Sequence, residues 1–121
     1  MSKYLISFDA NAMDHIPDDD FPAVGNAAHA VVQETVNAGV LVVTGGLEGQ
    51  MASVVATDGT VTDGPYPKPV GGFMVVDVPT RDEALEWAAK IAVACRCAQE
   101  VREIMHDPET DAMIRDVESR R

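Results

Sequence analysis

The sequence predicts an α+β domain in which two amphipathic helices lie on one face of an antiparallel sheet. Three observations predict it. Short β-branched and aromatic runs are separated by turn signals, two stretches carry apolar residues at helical spacing, and the two kinds alternate along the chain. At 121 residues there is room for one hydrophobic core, and an apolar content of 46% is enough to fill it without disulfides or a structural metal.

Lys3-Tyr4-Leu5-Ile6-Ser7-Phe8 reads as the first strand. Between Asp9 and Asp20 the pattern is broken by Asn11, Pro17 and the triplet Asp18-Asp19-Asp20, so this is a loop. Its tail is a helix start, with Asp20 placed to cap free N–H groups and Pro22 tolerated in the first turn. Val24, Ala28, Val31, Val32 and Thr35 then recur as one apolar stripe. Gly39 ends the helix, since glycine takes the left-handed conformation common just past a helix.

Val40 to Thr44 is the second strand, punctuated by Gly45-Gly46, and Met51 to Thr57 is the third. Asp58-Gly59 is a hairpin signal that returns Thr60-Val61-Thr62 antiparallel. Residues 63–72 hold three prolines and three glycines, which argues against a central strand or helix there. Phe73 to Val78 is the clearest strand. Thr80-Arg81-Asp82-Glu83 is a capping box opening a second helix, which turns Ala84, Leu85, Ala88, Ile91 and Ala92 inward and holds Trp87 in the core. Gln99 to Ile104 reads as the last strand, and Asp107-Pro108 starts a short charged helix. The division expected is one domain over residues 1–106 and a charged helical extension over 107–121.

This order is the ferredoxin-like split βαβ arrangement. Its helices cover one sheet face, yet both faces are apolar. In the strand 73–78, Phe73 and Val75 oppose Met74, Val76 and Val78, and in 40–44, Leu41 and Val43 oppose Val40 and Val42. Leaving several such side chains wet forfeits ~1.5 kcal/mol each, a large share of a domain's stability. A homodimer joined face to face resolves this and encloses a cavity between the sheets. The alternative is a monomer whose 63–72 loop and C-terminal helix fold over that face.

Twenty acidic against nine basic side chains give a net charge of −11. Such a surface repels phosphate backbones and anionic lipid, so neither nucleic acid nor a membrane is an expected partner. A neutral or cationic small molecule is easier to hold. The N-terminal segment lacks the apolar run and cleavage site of a secretory signal, and nothing approaches ~18 consecutive apolar residues. With two cysteines and no disulfide framework, a reducing cytoplasm is the expected setting.

Val61-Thr62-Asp63-Gly64-Pro65-Tyr66, then Gly71-Gly72-Phe73-Met74-Val75-Val76-Asp77-Val78, then Asp82-Glu83-Ala84-Leu85-Glu86-Trp87-Ala88 resembles the YCII-related family. More narrowly it resembles the branch named for an Asp-Gly-Pro-Phe motif, with Tyr66 in place of the Phe; Ala38-Gly39-Val40-Leu41 and Gly45-Gly46-Leu47 fit the same branch. The resemblance covers roughly residues 3 to 104. It implies a dimeric α+β barrel of ferredoxin-like domains. Another branch has a proposed His–Asp pair, and one member type is similar to a dehydrochlorinase of hydroxylated aromatics.

The candidate catalytic residues are His29 and Asp63, and the candidate ligand-binding residues are Tyr66 and Lys68. His29 borders the apolar stripe of the first helix, where imidazole facing a pocket serves as acid or base near neutral pH; facing outward it is a surface histidine. Asp63 and Tyr66 supply a carboxylate and a phenol at a cavity mouth, or else clamp their own loop. Lys68 is the local cation for an anionic ligand, or a solvated lysine. Cys95-Arg96-Cys97 has neither zinc nor Cys-x-x-Cys redox spacing and reads as buried apolar cysteine. His15 among Asp14 and Asp18 to Asp20 reads as a solvated acidic loop, and His106 as a strand end before a cap. No phosphate-cradling glycine motif, nucleophile elbow or His-Glu-x-x-His occurs, so neither cofactor nor metal is expected. Two functions compete: a small-molecule binding protein or cofactor-independent enzyme with its pocket at the dimer interface, and a non-catalytic regulatory or protein-interaction module.

Overall fold

The computed structural model describes residues 1–64 and 68–121. In chain order the elements are β1 (Ser2–Asp9), α1 (Phe21–Asn37), β2 (Leu41–Gly46), β3 (Ser53–Val55), β4 (Val61–Asp63), β5 (Val70–Val78), α2 (Arg81–Cys95), β6 (Glu100–Glu103) and α3 (Pro108–Glu118). A single 3₁₀ turn, Asp18–Asp20, precedes α1. The main sheet runs β2-β5-β1-β6, with every neighbouring pair antiparallel. β1-α1-β2 and β5-α2-β6 are thus two interleaved βαβ units, each leaving one strand's width for the other. The fold is ferredoxin-like, with β3 and β4 inserted as a separate two-stranded hairpin.

The register sorts the side chains. Tyr4 faces Val76 and Ile6 faces Met74, and these four with Val78 are buried under α1 and α2. Val24, Val31 and Thr35 of α1 and Ala84, Ala88, Ile91, Ala94 and Cys95 of α2 complete the inner layer. Each fully buried Val, Ile or Met contributes roughly 1.5–3 kcal/mol of burial. The opposite face carries Leu5 paired with Val75, Ser7 with Phe73, and Lys3 with Asp77.

Four details depart from the alternation and cap signals. A register shift in β2 between Leu41 and Val43 sets Leu41 against Val76 in the core and Val43 against Val75 on the open face. These two leucine and valine side chains therefore part company, as an extra residue in one strand requires. Second, Gly45-Gly46 and Gly71-Gly72 lie inside β2 and the central strand β5. Third, Asp20 makes no side-chain cap to α1; its carboxylate meets Arg96 at 2.9 Å. Fourth, Leu85 is 42% exposed. The inward face of α2 follows the 3.6-residue period through residues 84, 88, 91 and 95, which leaves position 85 at its border. Trp87 is half-buried against the core, with Lys90 over its ring at 5.0 Å to the centroid.

The other local signals act as expected. Gly39 ends α1 at φ +72°. Asp58 Oδ1 accepts from Thr60 N at 2.9 Å beside Gly59 at φ +88°, which closes the β3–β4 turn. Thr80 Oγ1 accepts from Glu83 N at 3.2 Å, the first half of the capping box. Asp107 Oδ1 accepts from Thr110 N at 3.1 Å and starts α3. Among the described residues no helix is long and apolar enough to cross a membrane.

Candidate functional site

A cleft of about 460 Å³ opens between α1, the C-terminal end of α2 and one end of the sheet. Ile6 and Phe8 come from β1, Met74 from β5, Ala28, His29 and Val32 from α1, and Ile91 and Cys95 from α2. Thr44, Gly45 and Gly46 of β2 form one rim, and Gln99, just before β6, another. Residues 28 and 32 are one helical turn apart and share a face, with residue 29 beside them. The burial pattern that turns Val31 and Thr35 into the core therefore sets His29 at the cleft's edge, where its side chain stays exposed.

The floor depends on missing side chains. A β-carbon on Gly72 would stand 2.7 Å from Phe8 Cζ, and one on Gly71 would stand 2.9 Å from Phe8 Cε2. The Phe8 ring thus crosses β5 where only glycine leaves space, the usual reason for glycine within a strand.

The polar groups are few. Thr44 Oγ1 donates to the Phe73 carbonyl at 2.8 Å, which leaves its lone pairs to accept. Gln99 Nε2 has only long contacts, 3.3 Å to the Cys97 carbonyl and 3.5 Å to Cys97 Sγ. Burial, and secondarily the neighbouring Cys97, push the Cys95 thiol above its ordinary value, so it stays protonated at neutral pH and is a poor nucleophile. Burial also raises Cys97, opposed by the bond from Gln99. An apolar floor with a few polar groups and about 460 Å³ of space suits a compact ligand. An imidazole at its edge supplies one proton-transfer group.

The other sequence candidates lie elsewhere. Asp63 ends β4 opposite Ser53, is exposed, and does not line this cleft. Tyr66 falls outside the described residues. Lys68 lines a separate cleft of about 410 Å³ with Ser7, Asp9, Glu100 and Arg102. The two clefts share Phe8 and Gln99 as walls. Within one chain, then, His29 is not brought together with Asp63 or Lys68. Sequence reading passed over Thr44 and Gln99, which looked like ordinary strand residues; the signal available was the pair of glycine doublets at 45–46 and 71–72, which mark a close approach. Among the described residues no three His, Cys, Asp or Glu side chains cluster to hold a metal ion.

A larger groove of about 620 Å³ separates α3 from the start of β1, but its lining mixes Lys3, Asp77, Glu103, Asp111 and Arg115. Charges of both signs and an open floor make it a seam between elements more than a ligand site.

Residues 23–107 match the YCII-related domain family. The chain belongs to that family. A solved structure similar to this YCII-related protein is 5-chloro-2-hydroxyhydroquinone dehydrochlorinase (TftG) from Burkholderia phenoliruptrix AC1100, in complex with 2,5-dihydroxybenzoquinone. The two are 14% identical with a TM-score of 0.50, over 89% of this chain and 97% of that chain. At that identity the likeness is one of fold. No curated protein sequence matches the chain.

Proposed function

We propose that this YCII-related protein binds a compact, planar, uncharged molecule in the cleft beneath α1, with His29 as the group that exchanges a proton with it. The observation that carries this reading is the cleft itself: an apolar floor of Ile6, Phe8, Val32 and Met74 with His29, Thr44 and Gln99 on its rim and no Lys or Arg in its lining. A net charge of −11 disfavours anions further. The dehydrochlorinase of similar fold holds a hydroxylated quinone in its crystal structure, which makes hydroxylated aromatics the first class to try.

The same reading includes a homodimer. Val43, on the outer sheet face, is 48% exposed beside the half-buried Phe73, and a second copy laid on that face would cover both. It would also cover the neighbouring cleft that holds Lys68 and Arg102. Asp63, at the end of β4, enters this proposal as a group the partner copy would contribute, and Tyr66 as a candidate from the sequence. Two free thiols fit a cytoplasmic setting.

Thermal denaturation with catechol, a hydroxylated aromatic that is uncharged at neutral pH, tests the binding claim. A ligand held only by the folded state raises Tm with concentration. The expected result is a rise in wild type that falls by at least half in His29→Ala. No rise with this or other small hydroxylated aromatics contradicts the proposal.

A further inference from the structure

We infer that Thr44 makes the cleft beneath α1 selective for ligands that offer it a neutral hydroxyl hydrogen, rejecting the matching ether. The inference rests on the binding reading proposed above and narrows it to hydroxyl donors.

Strand alternation brings the Thr44 side chain to the cleft. Thr44 stands opposite Met74 in the β2–β5 register, and Met74 is 2% exposed in the core. Side chains paired across two strands share a sheet face, so Thr44 faces the helices while its neighbour Val43 faces away. Branching at the β-carbon restricts χ1, which holds the hydroxyl in a set direction.

That hydroxyl has one hydrogen, and the structure shows where it goes. Thr44 Oγ1 donates to the Phe73 carbonyl at 2.8 Å, so a ligand meets only its lone pairs. Turning the hydrogen toward an ether oxygen would break the bond to Phe73, exchanging one hydrogen bond for another. A ligand hydroxyl instead adds a bond and removes none, and the two bonds in series polarise each other.

Gln99 is turned the same way. Its Nε2 lies 3.3 Å from the Cys97 carbonyl and 3.5 Å from Cys97 Sγ, which leaves the amide oxygen as its end without an internal partner among the described residues. Two rim groups from separate parts of the chain thus present oxygen acceptors.

The lining decides between kinds of donor. An ammonium would shed its water there without a counter-charge, because no Asp or Glu lines the cleft. A neutral hydroxyl needs none. Ile6, Phe8, Val32 and Met74 take the apolar body of the ligand.

Dissociation constants from amide chemical-shift titration of the full chain test this, with catechol and its dimethyl ether, 1,2-dimethoxybenzene. The ether is the more apolar, so burial alone would favour it. The expected result is catechol bound to wild type roughly fivefold tighter than the ether, or more. Thr44→Val should weaken catechol about fivefold and move the ether by less than about twofold, whereas Thr44→Ser, which keeps the lone pairs, stays within about twofold of wild type. Catechol binding that weakens in His29→Ala but not in Thr44→Val overturns the selectivity and leaves the binding site standing. An ether bound as tightly as catechol, or equal losses for both compounds in Thr44→Val, overturns it as well. No binding of either compound overturns both readings. Amide dispersion in the same spectra confirms folding, and Thr44→Ala replaces Thr44→Val if that variant unfolds.

Discussion

Phe8 lies across Gly72, with its Cζ 2.7 Å from where a β-carbon on that glycine would stand. The two residues face each other in the β1–β5 register, one row beyond the Ile6–Met74 pair of the core. This contact joins strand packing to the cleft floor. Gly72→Ala must therefore displace the ring, at a cost of about 1–3 kcal/mol by the usual scale of overpacking. In a Phe8→Leu background the same substitution should cost much less, because a shorter side chain leaves the space. Urea denaturation of the four proteins measures the coupling, and additive effects would show that the contact is not what excludes a side chain at position 72.

His29 is exposed and makes no hydrogen bond or ion pair among the described residues. His29→Ala should leave stability within about 0.5 kcal/mol of wild type, as for surface substitutions in general. Ligand affinity should nonetheless fall about tenfold. Calorimetry of the wild-type and variant proteins checks both halves.

Arg96 ends α2 at φ +57°, the only non-glycine residue at positive φ among those described. The left-handed conformation costs an L-residue roughly 1–2 kcal/mol. Its ion pair with Asp20 is exposed and offsets at most ~1 kcal/mol. Arg96→Gly is therefore expected to be neutral to stabilising by up to about 1 kcal/mol, and Asp20→Ala to cost less than that. Chemical denaturation at low and moderate salt separates the backbone effect from the screened pair.

Asp107 responds to acid. The Thr110 hydroxyl, at 2.7 Å, and then the Thr110 N–H hold its carboxyl below the ordinary value. A carboxyl whose folded value is depressed contributes stability that is fully present above the unfolded value, about 4. That contribution fades as pH falls through the folded value. The first turn of α3 should fray as the pH falls below the ordinary carboxyl value, ahead of the main sheet. Asp107→Asn should flatten that dependence in the amide signals of residues 108–111. Fraying that is unchanged by the substitution would assign the acid response to another group.

The architecture was legible where local and global signals agree. The stripe of α1, the Thr80 cap, the Asp58-Gly59 turn and the run 73–78 each name their element, and their order implies the interleaved sheet. Legibility failed where a distant partner decides. Gly71-Gly72 looks like loop punctuation until Phe8 is seen to cross it. The extra residue in β2 is invisible in a run of four apolar residues, because every register of Val40 to Val43 is equally apolar. Asp20 has the chemistry of a cap, yet Arg96, 76 residues away in sequence, holds its carboxylate. At the candidate site, His29 was singled out by its place beside the helical stripe, whereas Thr44 and Gln99 are drawn in only by the meeting of strand ends.

Amide chemical-shift mapping with a small neutral aromatic such as catechol addresses the ligand cleft directly. Titrating the labelled chain should move the signals of Phe8, Ala28, His29, Val32, Thr44 and Gln99 along saturable curves. Shifts confined to the α3 groove or to the open sheet face, with these six unmoved, would contradict a binding site beneath α1.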